Sequence, residues 1–193
     1  MKMQMGQSVE SRVAVLGLGL FFFSTPACAT TLARMSLDQL TLAADAVARV
    51  RCVSAESRWE NGAIWTVNSF DVIEPMKGSV PARIVVRLPG GHVGHMTAIV
   101  DGAPIFHSGN DAVIFLERLS AGGYSISGWV QGTFRIDLDP HSGDETVTQD
   151  SSSFAVFEPS TRRFRADGVR RMPMEQFRQR LAIAIGRAQR KTR

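Results

Sequence analysis

Only two cysteines, Cys28 and Cys52, occur in the 193 residues, too few to build a disulfide scaffold. No repeat of the collagen or coiled-coil kind is present. The one unbroken apolar run, Val13 to Phe23, is shorter than the roughly 20 residues a bilayer-spanning helix needs. The chain carries no P-loop, no G-x-G-x-x-G, no H-E-x-x-H and no C-x-x-C, so no familiar catalytic centre can be read from it. Gly123-Tyr-Ser-Ile-Ser-Gly128 has one residue too many between its glycines for a nucleophile elbow. With 44% hydrophobic residues, 21% charged residues and a net charge of +4, the chain is too apolar and too weakly charged for disorder. What remains is one globular domain of moderate size.

The first thirty residues have a different character. Lys2 and Arg12 precede the apolar run, Ser24-Thr25-Pro26 break it, and Ala27-Cys28-Ala29 follows. A positive region, a short apolar stretch and an A-x-A site mark a cleaved secretory signal over residues 1–29. The protein is therefore expected outside the cytoplasm, periplasmic or extracellular. Cleavage before Cys28 with lipidation is the minor alternative, because Thr25-Pro26-Ala27 matches a lipoprotein box poorly. After Ala29 only Cys52 remains, among apolar neighbours, where a free thiol packs as a small hydrophobe.

Charge divides along the remainder. Residues 30–160 hold nine Lys/Arg and fifteen Asp/Glu, whereas residues 161–193 hold eleven Lys/Arg and two Asp/Glu. A basic segment on an acidic body suggests an anionic partner or a tail docked on its own body. For an exported chain the expected partner is a protein or an anionic surface polymer, with peripheral membrane contact through the tail as an option and no nucleic acid. Arg170, Arg171 and Arg178 are the tail's candidate contacts. A solvated Arg-rich helix face is the plainer reading.

Ser36 with Gln39 three residues on has capping-box spacing and starts a short helix. Strand-like runs follow from Ala46: Ala46–Ser54, Ile64–Glu74, Arg83–Leu88, Asp111–Glu117, Tyr124–Val130, Thr133–Leu138 and Glu145–Thr148. Asn61-Gly62 is a hairpin signal, and Pro89-Gly-Gly91, Ala121-Gly-Gly123 and Asp139-Pro-His-Ser-Gly143 break the other runs. Strands at this spacing imply a barrel or sandwich. Phe154–Phe157 makes a last short strand. Beyond Pro173, Met174, Phe177, Leu181, Ile185 and Ala188 recur at helical spacing. That stripe packs on the barrel or, being basic on its other faces, lies on a membrane.

The most suggestive chemistry is Pro89-Gly-Gly-His-Val-Gly-His95. Gly90 and Gly91 permit close backbone approach to a ligand, and His92 and His95 are spaced to share a metal. A full ligand set is not visible; His107 and Asp101 are near only in sequence. The alternative is a Gly-rich connection with two exposed histidines. Asp137, Asp139, Asp144, Glu145 and Asp150 fit calcium less well than an acidic hairpin tip, since Ser142 stands where an EF-hand loop has glycine. Gly128-Trp-Val-Gln-Gly-Thr-Phe134 is either an aromatic binding face or a strand bulge whose aromatics fill the core. No cofactor is implied.

Ala44-Asp45-Ala-Val-Ala, Trp65-Thr-Val-Asn-Ser-Phe-Asp-Val-Ile-Glu74 and Met76-Lys77-Gly78, with Asp111–Leu116, resemble netrin-type modules over about residues 44–135. These modules, which include the tissue inhibitors of metalloproteinases, are OB-like five-stranded barrels. The layout is also similar to that of small exported bacterial proteins of unassigned function. Inhibitors of that family use a disulfide-bonded N-terminal cysteine against the enzyme's zinc. Here the expected terminus is Thr30 and Cys52 has no partner, so only the fold carries over.

The expectation is thus a mainly β protein: a signal over 1–29, a small antiparallel OB-like barrel over 30–160 with a short N-terminal helix, and a basic segment over 161–193 whose amphipathic helix packs on the barrel. Its expected role is a non-enzymatic binding or interaction module contacting its ligand through Gly90, Gly91, His92 and His95. The alternatives are a netrin-like metalloprotease inhibitor and a metal-dependent enzyme using the Gly/His loop.

Overall fold

The computed structural model describes residues 32–191, apart from Ala121, Phe154, Asp167 and the side chain of Arg165. The signal over residues 1–29 lies outside the described residues. The elements are α1 (Leu37–Ala43), β1 (Ala46–Glu60), β2 (Ala63–Lys77), β3 (Arg83–Pro89), β4 (Gly91–Val93), β5 (Met96–Ala98), β6 (Asp111–Arg118), β7 (Tyr124–Ile126), β8 (Thr133–Leu138), β9 (Glu145–Gln149), β10 (Ala155–Glu158), β11 (Arg163–Ala166), β12 (Met172–Pro173) and α2 (Met174–Lys191).

Five strands close a barrel in the order β1-β2-β3-β7-β6, with β6 returning to β1. All of its pairings are antiparallel except β3–β7, a parallel seam at Val86 and Tyr124. The barrel is therefore mixed, and mainly antiparallel as expected. β1 and β2 are longer than expected because Asn61 (φ 49°) and Gly62 (φ 80°) join them directly, in the paired positive-φ geometry that suits a two-residue hairpin.

Along the far edge of β6, β7 pairs at Leu116–Arg118 and β8 at Ala112–Ile114. The intervening residues loop out opposite Phe115, with Trp129–Gly132 in a 3-10 turn rather than a strand. This excursion lets the sheet divide: β7 closes the barrel, and β8 continues outward to β9 and β12. Gln131 fastens it, accepting from the Met35 N–H (2.6 Å) and donating to the Ala33 carbonyl (2.8 Å).

Where β1 and β6 are covered on both sides, at Ala46–Ala48 and Ala112–Leu116, they are apolar and buried without a break. Ala46, Ala48, Val50, Cys52, Ala112, Ile114 and Leu116 fill the lumen with Phe70, Val86 and Phe106. Val47, Val113 and Phe115 point outward into a second core with Leu40 of α1 and Met174, Phe177 and Leu181 of α2. Phe134 bridges that core, its ring 5.4 Å from Phe115 and 5.0 Å from Phe177. Cys52 is a buried free thiol, and burial pushes its pKa up, which keeps it neutral and unreactive. The boundary expected at residue 160 falls inside the β10–β11 hairpin, where Phe157 pairs with Phe164.

Ser36 caps α1 with the reciprocal Gln39 bonds that its spacing implies. The other end is closed by Lys77, whose ammonium donates to the Thr41 carbonyl (2.6 Å) and the Ala44 carbonyl, a cation on the negative pole of the helix. Gly78 follows at φ 68°, and an added Cβ would run into the Asp45 carbonyl. The Lys-Gly turn is thus a clamp between β2 and α1. Gly78→Ala should cost at least about 1–2 kcal/mol through strain and collision, read by urea denaturation. Near-wild-type stability would mean that the clamp is dispensable.

Candidate functional site

The lumen core does not reach the end of the barrel where β1, β2 and β3 meet the segment joining β3 to β6. A pocket of about 350 Å³ opens there, lined by Ala55, Thr66, Asn68, Leu88, Val100 and Phe106 among others. Barrel mouths are a recurrent place for small-molecule sites. Its floor follows from strand periodicity: Ile64, Thr66, Asn68 and Phe70 share one side of β2, and Ile64, Asn68 and Phe70 are buried. Its roof is residues 97–107, held down at one end by Phe106, which packs edge-on against Phe70 at 4.9 Å. Arg135 fixes that roof. It lies 4.2 Å over the Phe106 ring, donates to the Ile105 carbonyl (2.7 Å) and pairs with Asp150 (2.7 Å).

The Gly/His loop forms the adjoining wall. Thr66 Oγ donates to the Gly90 carbonyl (2.7 Å), shares a 2.8 Å bond with Ser57 Oγ, and Ser57 Oγ accepts from the His92 N–H (3.2 Å). Gly91 lies so close to this pair, at φ 131°, that a Cβ would strike both hydroxyls. The close approach that Gly91 permits is to the protein's own β1 and β2, and that of Gly90 is to the Ala98 carbonyl. The loop is a small β4–β5 hairpin, with His92 opposite Thr97 and a 2.9 Å bond from His92 Nδ1 to Thr97 Oγ1.

Gly90, Gly91 and His92 line the pocket, together with His107 and Asp101. His95 stands at the exposed hairpin turn, away from that lining. Among the described residues no three of His, Cys, Asp and Glu come close enough to hold a metal ion. The acidic hairpin residues are engaged elsewhere: Asp139 accepts from the His141 and Ser142 N–H groups, Glu145 pairs with Arg49, and Asp150 with Arg135.

The tail's arginines are not gathered with the pocket. Arg170 donates to the Ser152 carbonyl, Arg178 forms a two-pronged pair with Glu74, and the exposed Arg171 donates its N–H to Thr148 Oγ1 (3.2 Å). Arg187 pairs with Asp38 at 2.9 Å. Arg178 and Arg187 of the basic segment thus answer acidic residues of the body.

The residue with no counterpart in the sequence reading is Asn68. Its Nδ2 donates to the Thr66 carbonyl (3.2 Å) and, at 3.4 Å, to the Val86 carbonyl, while its Oδ1 is buried without a hydrogen-bond partner. Such an orphan costs free energy unless something satisfies it.

On the barrel's outer side, Asp111 sits between Arg51 (2.7 Å) and Arg49 (3.6 Å). The Arg51 hydrogen bond, followed by the further pull of both guanidinium charges against the cost of burial, holds its carboxyl below the usual range. A depressed folded pKa gives stability that is present above the ordinary value of 3.8 and lost as pH falls through the folded one. Asp111→Asn should cost about 1 kcal/mol at pH 7 and flatten the loss of stability between pH 4 and lower pH (read by urea melts). An unchanged acid slope would contradict the assignment.

No protein-family model, curated protein or solved structure matches this chain in the comparisons made with each.

Proposed function

We propose that the protein is an exported, non-catalytic binding module whose ligand site is the mouth of the barrel. The observation that carries this reading is the apolar pocket between the β1–β3 ends and the 97–107 roof. The rim adds exposed apolar surface, since Ile99 is 80% and Ile105 68% accessible. The roof is fastened by Arg135 and Phe106 and the loop by Ser57 and Thr66, so the cavity is preformed, which lowers the ordering cost of binding.

Ligand-observed NMR with a panel of small amphiphiles tests the reading. Binding should be seen with the full chain and lost in Ala103→Phe, whose ring would fill the cavity. Equal signals from both proteins, or none from either, would overturn it. Export is tested by N-terminal sequencing of protein from its native host: a start at Thr30 supports it, and an uncut chain contradicts it.

The five-strand barrel and the Lys77-Gly78 turn favour a second reading, a netrin-like metalloprotease inhibitor. Buried Cys52 offers no help to the zinc-directed mechanism of that family. Slow, saturable inhibition in a metalloprotease panel would support the reading, and no effect would remove it. Contact with an anionic polymer or membrane surface is a separate proposal, resting on the exposed Arg180, Arg190 and Lys191 of α2.

A further inference from the structure

The side chains around the pocket divide by burial. Leu88, Pro104 and Phe106 are buried, and with Ala55 and Val100 they give the inner walls a hydrocarbon surface. The inner polar side chains are answered by one another and by backbone. Thr66 Oγ1 donates to the Gly90 carbonyl, so Ser57 Oγ is the donor in the bond between the two hydroxyls, and neither has a proton left for a ligand. The amide nitrogen of Asn68 is turned to two carbonyls, and its oxygen has no surface open to the cavity. The remaining polar side chains of the lining, His92, Thr97, Asp101 and His107, are all exposed and stand at the rim. Resting on the binding-module reading above, we infer that this cavity takes the hydrocarbon end of a single-chain amphiphile and leaves the head group in water at that rim.

A head group sent inward would lose its water and meet no free side-chain donor, only the spare lone pairs of Ser57 and Thr66. That desolvation is offset poorly for an amide or alcohol and not at all for a carboxylate or phosphate. A hydrocarbon end gains contact with the walls without it. At the rim, two imidazoles, a hydroxyl and a carboxylate offer hydrogen bonds of either sense, with His92 Nδ1 already joined to Thr97 Oγ1 at 2.9 Å. Asp101 is the only carboxylate of the lining and no Lys or Arg joins it, so no head group finds a counter-charge sheltered from water. Exposed pairs add little, and chain length therefore outweighs head identity. The cavity of about 350 Å³ lies near the lower end of the roughly 300–1,000 Å³ usual for ligand pockets, which suits one chain rather than two.

Calorimetric titration of the full chain in about 0.15 M salt separates the possibilities with five probes: octanamide, hexanamide, 8-hydroxyoctanamide, octanoate and octylammonium. Octanamide is expected to bind about fifteenfold more tightly than hexanamide, which is two methylenes shorter. Octanoate and octylammonium should bind within about fivefold of octanamide, because their heads stay in water. The 8-hydroxy amide, polar at both ends, should bind at least about tenfold more weakly than octanamide. A smaller loss from the added hydroxyl would overturn the chain-inward orientation while leaving a binding pocket. A wider spread among the three heads, or equal affinity for the two chain lengths, would show that the site reads the head and would overturn the proposal in the same way. Binding of no probe by the wild-type chain, or undiminished binding in Ala103→Phe, would remove the pocket reading itself.

Discussion

A chain ending at Pro173 is expected to lose its cooperative unfolding transition at 25 °C. Removing α2 uncovers the outer face of β1, β6 and β8. Met174, Phe177 and Leu181 are at most 5% exposed and cover Leu40, Val113 and Phe134 from outside. At roughly 1.5–3 kcal/mol for each large side chain buried, their loss amounts to about 6 kcal/mol. The whole stability of a domain is about 5–15 kcal/mol. The Arg178–Glu74 and Arg187–Asp38 pairs go with the helix, though exposed pairs add little. Far-UV circular dichroism under urea titration reads the outcome. A sharp transition in the truncated chain would mean that the barrel folds alone and that the apolar stripe of α2 is free for a membrane or a partner.

The second large effect is expected at Phe134. Its ring stands between Phe115 on β6 and Phe177 on α2, and its side chain is 1% exposed. Phe134→Ala deletes the middle of a three-ring contact and leaves a cavity that rigid strands on two sides cannot close. The expected loss is about 3–5 kcal/mol, some of it from the edge and tilt contacts of the rings. Phe157→Ala, in the half-buried β10–β11 hairpin, serves as a control with a smaller loss. Equal losses at the two positions would show that the barrel–helix core is not where the stability resides.

Local chemistry made part of this fold legible. Asn61-Gly62 names its turn, Ser36 and Gln39 name their cap, and Ala112–Leu116 is apolar throughout because β6 is covered by the lumen on one side and the helices on the other. The 127–132 excursion, read as a bulge, is a six-residue loop with a 3-10 turn. Its length follows from the parting of β7 and β8, a tertiary event with no local signature. β11 lay hidden in a segment that its arginines made look like solvated tail.

The site was half visible. Gly90, Gly91 and His92 do line the pocket, but Gly91 serves the fit of the loop onto Ser57 and Thr66 and Gly90 its fit against Ala98. Asn68 was missed although a period of two puts it on the side of Phe70, because a lone polar residue in a strand is ordinarily read as facing water. Arg135 gave no signal either, since Phe106 and Ile105, which it holds, are far away in sequence.

The most direct test of the barrel-mouth site is a backbone amide chemical-shift map of the full chain titrated with octanamide. The account predicts shifts concentrated at Asn68, Leu88, His92 and Val100–Phe106, with α2 and the β8–β9 hairpin unchanged. Shifts centred on α2, or none at saturating probe, would contradict it.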